Sequence, residues 1–176
     1  MAAIAVSGRA GWQASDLELL QPAPSYTETT LGRLHRDGYK PLELFFIIGA
    51  DAFADIASWK NYPGILDAAN FAVVSRPGSP VDALRQRLPE LAARMKKPDA
   101  AVVREVSIFL IEAATADVSS TAIRQRRLHG QSISGLVPPG VEQHIEQHGL
   151  YQTIAPNEPH EERFANPAAG RLHGQS

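Results

Sequence analysis

The chain has 176 residues, 44% of them hydrophobic and 20% charged, with 17 Lys and Arg against 19 Asp and Glu. This length allows one domain with a real core, and a net charge of -2 excludes the basic footprint that general nucleic-acid or acidic-membrane binding requires. Cysteine is absent, which removes disulfides, thiolate metal sites and a cysteine nucleophile together.

The opening residues, Met1 to Val6, carry neither the basic start nor the long apolar stretch of a signal peptide. The segment Trp12 to Leu19 reads as one short strand. Thr27 to Arg36 reads as a helix, with Glu28 in its first turn where the helix dipole favours an anion. Leu44 to Ile48 is the longest apolar run and falls far short of the ~20 residues of a membrane span, so a cytoplasmic protein is expected. This run, Phe71 to Ser75 and Val106 to Ile111 read as buried strands. The first two are nearly uninterrupted apolar, as in parallel sheets covered on both faces.

Helical patterns lie between the strands. Asp51 to Ser58 places Phe53, Ile56 and Ala57 on one stripe. After Ser79-Pro80, the residues Val81, Leu84, Leu88, Leu91 and Met95 recur at helical spacing, with Pro89 predicted to kink or split the element. Ser119 or Ser120 caps a helix to about His129, stopped by Gly130, and Pro139-Gly140 opens another that ends at Gly149. Alternating strands and helices predict an α/β fold with a parallel sheet. From Gln152 the sequence loses periodicity and reads as a flexible tail, leaving 1–151 as the folded domain. The hexapeptide Arg127 to Ser132 recurs letter for letter as Arg171 to Ser176.

Five places carry possible chemistry. Ser119-Ser120-Thr121-Ala122-Ile123-Arg124 puts hydroxyls and free backbone N–H groups at a helix start after a strand, a phosphate cradle, with Arg124, Arg126 and Arg127 in the early turns. A serine cap followed by solvated arginines accounts for the same residues. Gly49-Ala50-Asp51 lies where a parallel strand meets a helix, the usual ligand position in open α/β sheets, though Asp51 also serves as a plain cap. Arg76-Pro77-Gly78 closes the next strand at the same rim, where its guanidinium can reach a phosphate or carboxylate. Ser25-Tyr26-Thr27 precedes a helix, and Trp59, flanked by Ser58 and Lys60, is able to stack on a flat ligand or to pack at a helix edge. The six histidines show no metal-site spacing.

Taken in order, Ser25-Tyr26-Thr27 with Thr30-Leu31, Phe46-Ile47-Ile48-Gly49-Ala50-Asp51-Ala52, Trp59, Arg76-Pro77-Gly78, Ser119 to Arg124, then Leu136-Val137-Pro138 and Gly149-Leu150-Tyr151, the chain resembles the bacterial nicotinate-nucleotide adenylyltransferases. The resemblance implies a Rossmann-like nucleotidyltransferase fold that joins nicotinate mononucleotide to the adenylyl group of ATP, giving deamido-NAD and pyrophosphate, with Mg²⁺ accompanying ATP. It implies that Thr27 and Trp59 hold the nicotinate ring and its carboxylate, that Gly49, Asp51, Ser119, Ser120, Thr121 and Arg124 bind ATP, and that Arg76 binds substrate. The family's opening G-x-F-D-P-x-H-x-G-H motif, whose histidines contact ATP phosphates, does not occur in these 176 residues. By that comparison the first βαβ portion, about 60 residues, is missing. Two readings follow: a late start within a full-length enzyme, with this chain inactive alone, or a non-catalytic binding remnant. A sibling transferase for another phosphate ester is a third. Thr29 also stands where the family usually has an acid.

Overall fold

The computed structural model describes residues 1–19, 24–98, 104–114 and 116–152. Two compact units divide the chain, Met1–Ser119 and Ser120–Ser176. The tail expected from Gln152, with the second hexapeptide copy, lies outside the described residues from Thr153 onward.

The first unit is built on a four-stranded sheet in the order β1-β2-β4-β3, every neighbouring pair parallel. The strands are β1 (Phe45–Gly49), β2 (Asn70–Val74), β3 (Met95–Lys96) and β4 (Ile108–Ile111). Three of them are the expected apolar runs, and the parallel α/β architecture is as predicted. The two-residue β3 was read as the end of a helix. Its pairing with Ile108 and Phe109 comes from sheet contact rather than from local pattern.

Helix α1 (Ala2–Val6) and α2 (Thr27–Arg36) precede the sheet. The second matches the predicted span, with Glu28 in its first turn and Arg33, His35 and Arg36 in its last, both favourable to the helix dipole. Leu31 is the residue it buries. The strand expected over Trp12 to Leu19 does not form. Those residues run as turns and irregular backbone, leaving Trp12 63% and Leu19 83% exposed. Gly8 and Gly11, both at φ +78°, turn the chain just before, and the polar run Gln13 to Asp16 provides no apolar face to bury.

The helix predicted from Asp51 is shorter: α3 (Ala50–Phe53) gives way to a 3₁₀ turn at Ile56–Ser58. After β2, a 3₁₀ turn at Val81–Ala83 leads into α4 (Leu84–Arg87), and Pro89 starts a separate 3₁₀ stretch ending at Arg94. Pro89 thus splits the element as expected, since it lacks an N–H and clashes with the preceding turn. Even so, Val81, Leu84, Leu88, Leu91 and Met95 all remain buried.

Expectation and structure part over β1. Strand β2 is buried on both faces, whereas β1 alternates, with Phe46 and Ile48 inward and Phe45 and Ile47 outward, Ile47 being 73% exposed. The cause is position: β1 ends the sheet order and packs one face only. Phe45 still leans its ring on Phe109 across the sheet, 5.9 Å between centroids.

Two buried polar side chains hold the sheet at its ends. Asn70, fully buried at the start of β2, donates through Nδ2 to the carbonyls of Leu42 and Leu44 and accepts at Oδ1 from the Ser107 N–H. Ser75, just past β2, donates its hydroxyl to the Ala113 carbonyl at 3.0 Å and accepts from the Ala113 N–H at 2.9 Å. That reciprocal pair continues the β2–β4 ladder beyond Ile111.

In the second unit, α5 (Ser120–Leu128) and α6 (Pro139–Gln147) are the described helices. Ile123, Ile133, Val141 and Ile145 are its buried apolar residues, and Arg127 pairs with Glu146 at 3.5 Å. Gly130 at φ +67° and Gly149 at φ +57° take the left-handed conformation expected after each helix. Among the described residues no helix is long and apolar enough to cross a membrane.

Candidate functional site

The parallel register sets the site. Gly49, Val74 and Ile111 lie abreast at the carboxyl ends of β1, β2 and β4. Two residues past β1 comes Asp51, and two past β2 comes Arg76. Their side chains meet, Arg76 Nη1 lying 3.3 Å from Asp51 Oδ2. Both are about half exposed, so the pair is worth at most about 1 kcal/mol, and a ligand opens it at little cost.

Gly49 lies beneath this pair. A Cβ there would lie 2.5 Å from Asp51 Oδ1 and 2.9 Å from Arg76 Cδ. Gly49 has an ordinary φ of -73°, so backbone freedom does not call for glycine, and a side chain there would push the Asp51 and Arg76 side chains aside. Arg76 is itself held by a tight turn, its backbone exchanging hydrogen bonds with Ser79 around Gly78 at φ +80°. Of Gly49, Arg76 and Ser119, each expected at the carboxyl end of a strand along one rim, Gly49 and Arg76 lie side by side, with Asp51 reaching Arg76. Ser119 comes only after seven further residues, 112–118, beyond β4.

A second feature lies at the start of α2. Ser25, Tyr26, Thr27 and Glu28, with Ser58, Trp59, Lys60 and Ile65, line a cleft of about 290 Å³. Thr27 and Trp59, singled out separately in the sequence, therefore face one space. Trp59 packs edge-on against Phe46, 6.1 Å between centroids at 85°, so one edge rests on the core while the ring also borders the cleft. The packing reading of Trp59 holds, and the same residue lines the cleft.

Sequence reasoning passed over Lys60. Its ammonium sits 4.9 Å from the centre of the Tyr26 ring and 3.8 Å from Glu28 Oε2. The only sequence signal was its place next to Trp59. Thr29, at a position where the resemblance predicts an acid, gives its hydroxyl to Glu28 at 3.3 Å. An adjoining cleft of about 210 Å³ shares Ser25, Tyr26 and Lys60 and adds Thr30 and Arg33.

In the second unit, Ser120 and Thr121 open α5 and Arg124 lies one turn on, donating to Thr121 Oγ1 at 3.4 Å. The helix ends within a residue of its expected end, and one expectation about its arginines is corrected. Arg126 and Arg127 fall in its last turn, where the dipole favours cations, rather than in its early turns. Arg126 donates to the Ser132 carbonyl and Arg127 faces Glu146. Arg124 is thus the arginine left near the helix start with only a neutral partner in the contacts given above.

No group of three or more His, Asp or Glu able to hold a metal occurs among the described residues. The rings of His144 on α6 and His148 just past its end lie 4.2 Å apart at a tilt of 37°, and partial desolvation, then the neighbouring His148, hold the His144 pKa below its ordinary value.

The parallel α/β sheet of the first unit, with Gly-Ala-Asp and Arg at adjacent strand ends, is consistent with a Rossmann-like nucleotidyltransferase fold. A family model described as cytidylyltransferase-like matches residues 13–126. A probable nicotinate-nucleotide adenylyltransferase of Roseiflexus sp. (strain RS-1) is 39% identical over 154 residues, covering 86% of this chain and 70% of that protein. Proteins of the same name from Desulfatibacillum aliphaticivorans and Geotalea daltonii are 39% and 38% identical, with 86% of this chain covered in each case and 73% and 72% of theirs. The chain belongs to the nicotinate-nucleotide adenylyltransferase family and is a nucleotidyltransferase.

Proposed function

We propose that this protein transfers the adenylyl group of ATP to nicotinate mononucleotide, forming deamido-NAD and pyrophosphate, as a step of NAD biosynthesis. A phosphate oxygen of the mononucleotide attacks the α-phosphorus of ATP, a new P–O bond forms, and the bond to the β-phosphate oxygen breaks as pyrophosphate leaves. No covalent intermediate with the protein is needed. The work of the side chains is to hold the two substrates in line and to balance spreading negative charge.

The observation that carries this reading is that Thr27 and Trp59 border one cleft whose lining includes a cation, Lys60, suited to a flat ring bearing an anionic group. Thr27 and Trp59 are assigned to the nicotinate ring, and Gly49 and Asp51 to the nucleotide. Ser119, Ser120, Thr121 and Arg124 are assigned to the ATP phosphates. Arg76 is assigned to substrate, released from Asp51 as ligand enters. Mg²⁺ is assigned to the ATP phosphates, where it would supply charge neutralisation.

The test is pyrophosphate release from ATP, Mg²⁺ and nicotinate mononucleotide; a folded protein that binds neither substrate contradicts the reading. Two variants resolve the parts. Arg124→Ala is expected to weaken ATP binding by about 1.5–3 kcal/mol if its guanidinium pairs with phosphate, and unchanged ATP affinity removes it from that role. Trp59→Ala is expected to weaken mononucleotide binding while ATP affinity stays within about twofold, because one edge of the indole packs on Phe46 and the ring borders the cleft. Equal losses for both ligands would make Trp59 structural.

A further inference from the structure

The two possible mononucleotide substrates differ at one group: an ionised carboxylate on the ring in one, a neutral amide in the other. Among the described residues that line the cleft beside Trp59, Lys60 is the only cation and Glu28 the only anion. Trp59 and Lys60 line the same cleft, the Lys60 ammonium lying over the Tyr26 ring of that cleft, so a ring bound against the indole shares its space with the ammonium.

The state of Lys60 is that of a cation with donors to spare. Its contact with Glu28, at 3.8 Å, is longer than a hydrogen bond, and both side chains are over one-third exposed. An ammonium has three donors, and the face of Tyr26 beneath it, 4.9 Å away, orients the head without occupying any of them. Glu28 also accepts from the Thr29 hydroxyl, which gives that carboxylate a partner if Lys60 turns away. Arg33, in the adjoining cleft, is the nearest other cation on α2 that borders this region.

We infer that Lys60 is the residue that selects the acid over the amide form of the mononucleotide, its ammonium exchanging Glu28 for the ring carboxylate when ligand binds. This rests on the nicotinate-pocket reading above and deepens it. Selection then depends on charge alone, so it weakens with ionic strength, and Glu28 works against it as a competitor for the same ammonium.

The experiment is calorimetric titration of the full chain with nicotinate mononucleotide and with nicotinamide mononucleotide, at low and at physiological salt. The proteins are wild type, Lys60→Met, Lys60→Arg and Glu28→Gln. Lys60→Met is expected to lower affinity for the acid form about 3- to 10-fold, the modest size following from the exposure of the site, with no change for the amide form. Lys60→Arg retains most of the preference, and Glu28→Gln raises affinity for the acid form by roughly twofold or more.

Equal losses for both ligands in Lys60→Met, no loss for either, or no acid preference in the wild type overturns the inference while leaving the pocket in place. A folded wild-type chain that binds neither mononucleotide overturns the pocket reading itself, and the role of Lys60 with it.

Discussion

Phe71→Ala is expected to lower the free energy of unfolding by about 3–5 kcal/mol, the range for emptying a large aromatic site in a packed core. Phe71 is fully buried in β2, its ring 5.8 Å from Phe46 on β1 and 5.6 Å from Phe53 on α3. It is paired in register with Phe46 on one side and Ile108 on the other, so neither neighbouring strand can move in without breaking its own ladder. The cavity therefore stays largely open, which puts the cost high in the range. Urea denaturation should show a lower midpoint with an unchanged slope.

Phe71 also reaches the site. Phe46 lies between it and Trp59, and loss of the Phe71 ring removes the support behind Phe46. In a Trp12→Phe background, Trp59 emission is expected to shift in the folded Phe71→Ala protein. A cost below about 1 kcal/mol would mean that the aromatic stack is not the core that positions the cleft.

What could be read from the sequence follows the range of the forces involved. Helix α2 was legible to the residue because its signals are local: Glu28 at its start, basic residues at its end and Leu31 within. The break at Pro89 was legible for the same reason, being a property of one ring. The strands β1, β2 and β4 showed as apolar runs, but the exposure of Phe45 and Ile47 did not, because burial of a strand face depends on what packs against it. The two-residue β3 carries too few residues for any period.

The candidate site divides the same way. Gly49, Asp51 and Arg76 were recognisable as rim residues, since parallel strands must end on one side, and their ion pair follows from flush register. Lys60 was not, because the groups that give it meaning, Tyr26 and Glu28, lie more than thirty residues away along the chain. Arg126 and Arg127 lie six and seven residues after Ser120 in a nine-residue helix, so the expected end near His129 already places them in the last turn, where the dipole favours a cation. Asn70 and Ser75 look like interruptions at the ends of an apolar run, and only the strand order shows what they hold.

Asn70 is the site of the second large effect. Its Nδ2 faces two carbonyls, those of Leu42 and Leu44, each at 3.2 Å, and its Oδ1 faces the Ser107 N–H at 3.0 Å, an arrangement that also fixes which way the amide points. One side chain thus ties the approaches to β1 and β4 to the start of β2 and sets the register that brings Gly49, Val74 and Ile111 abreast at the far end. Asn70→Leu fills similar space but leaves the Ser107 N–H without its acceptor and the Leu42 carbonyl without its donor. At about 1–3 kcal/mol for each buried group left unpaired, a loss of about 3 kcal/mol is expected. Asn70→Asp separates the polar role from the packing one. An ionised carboxylate can accept from Ser107 but faces two carbonyl oxygens without water, so its pKa in the folded state rises above the ordinary unfolded value of about 3.9. Between those two values the folded variant binds more protons than the unfolded chain, and its stability falls as pH rises. Protonated, the carboxyl can donate to a carbonyl as the amide does. Asn70→Asp should therefore approach the wild type near pH 4 and fall progressively below it toward pH 7, as measured by urea denaturation across that range. A constant difference between the two proteins at every pH would mean that position 70 is open to water and does not set the register of the sheet.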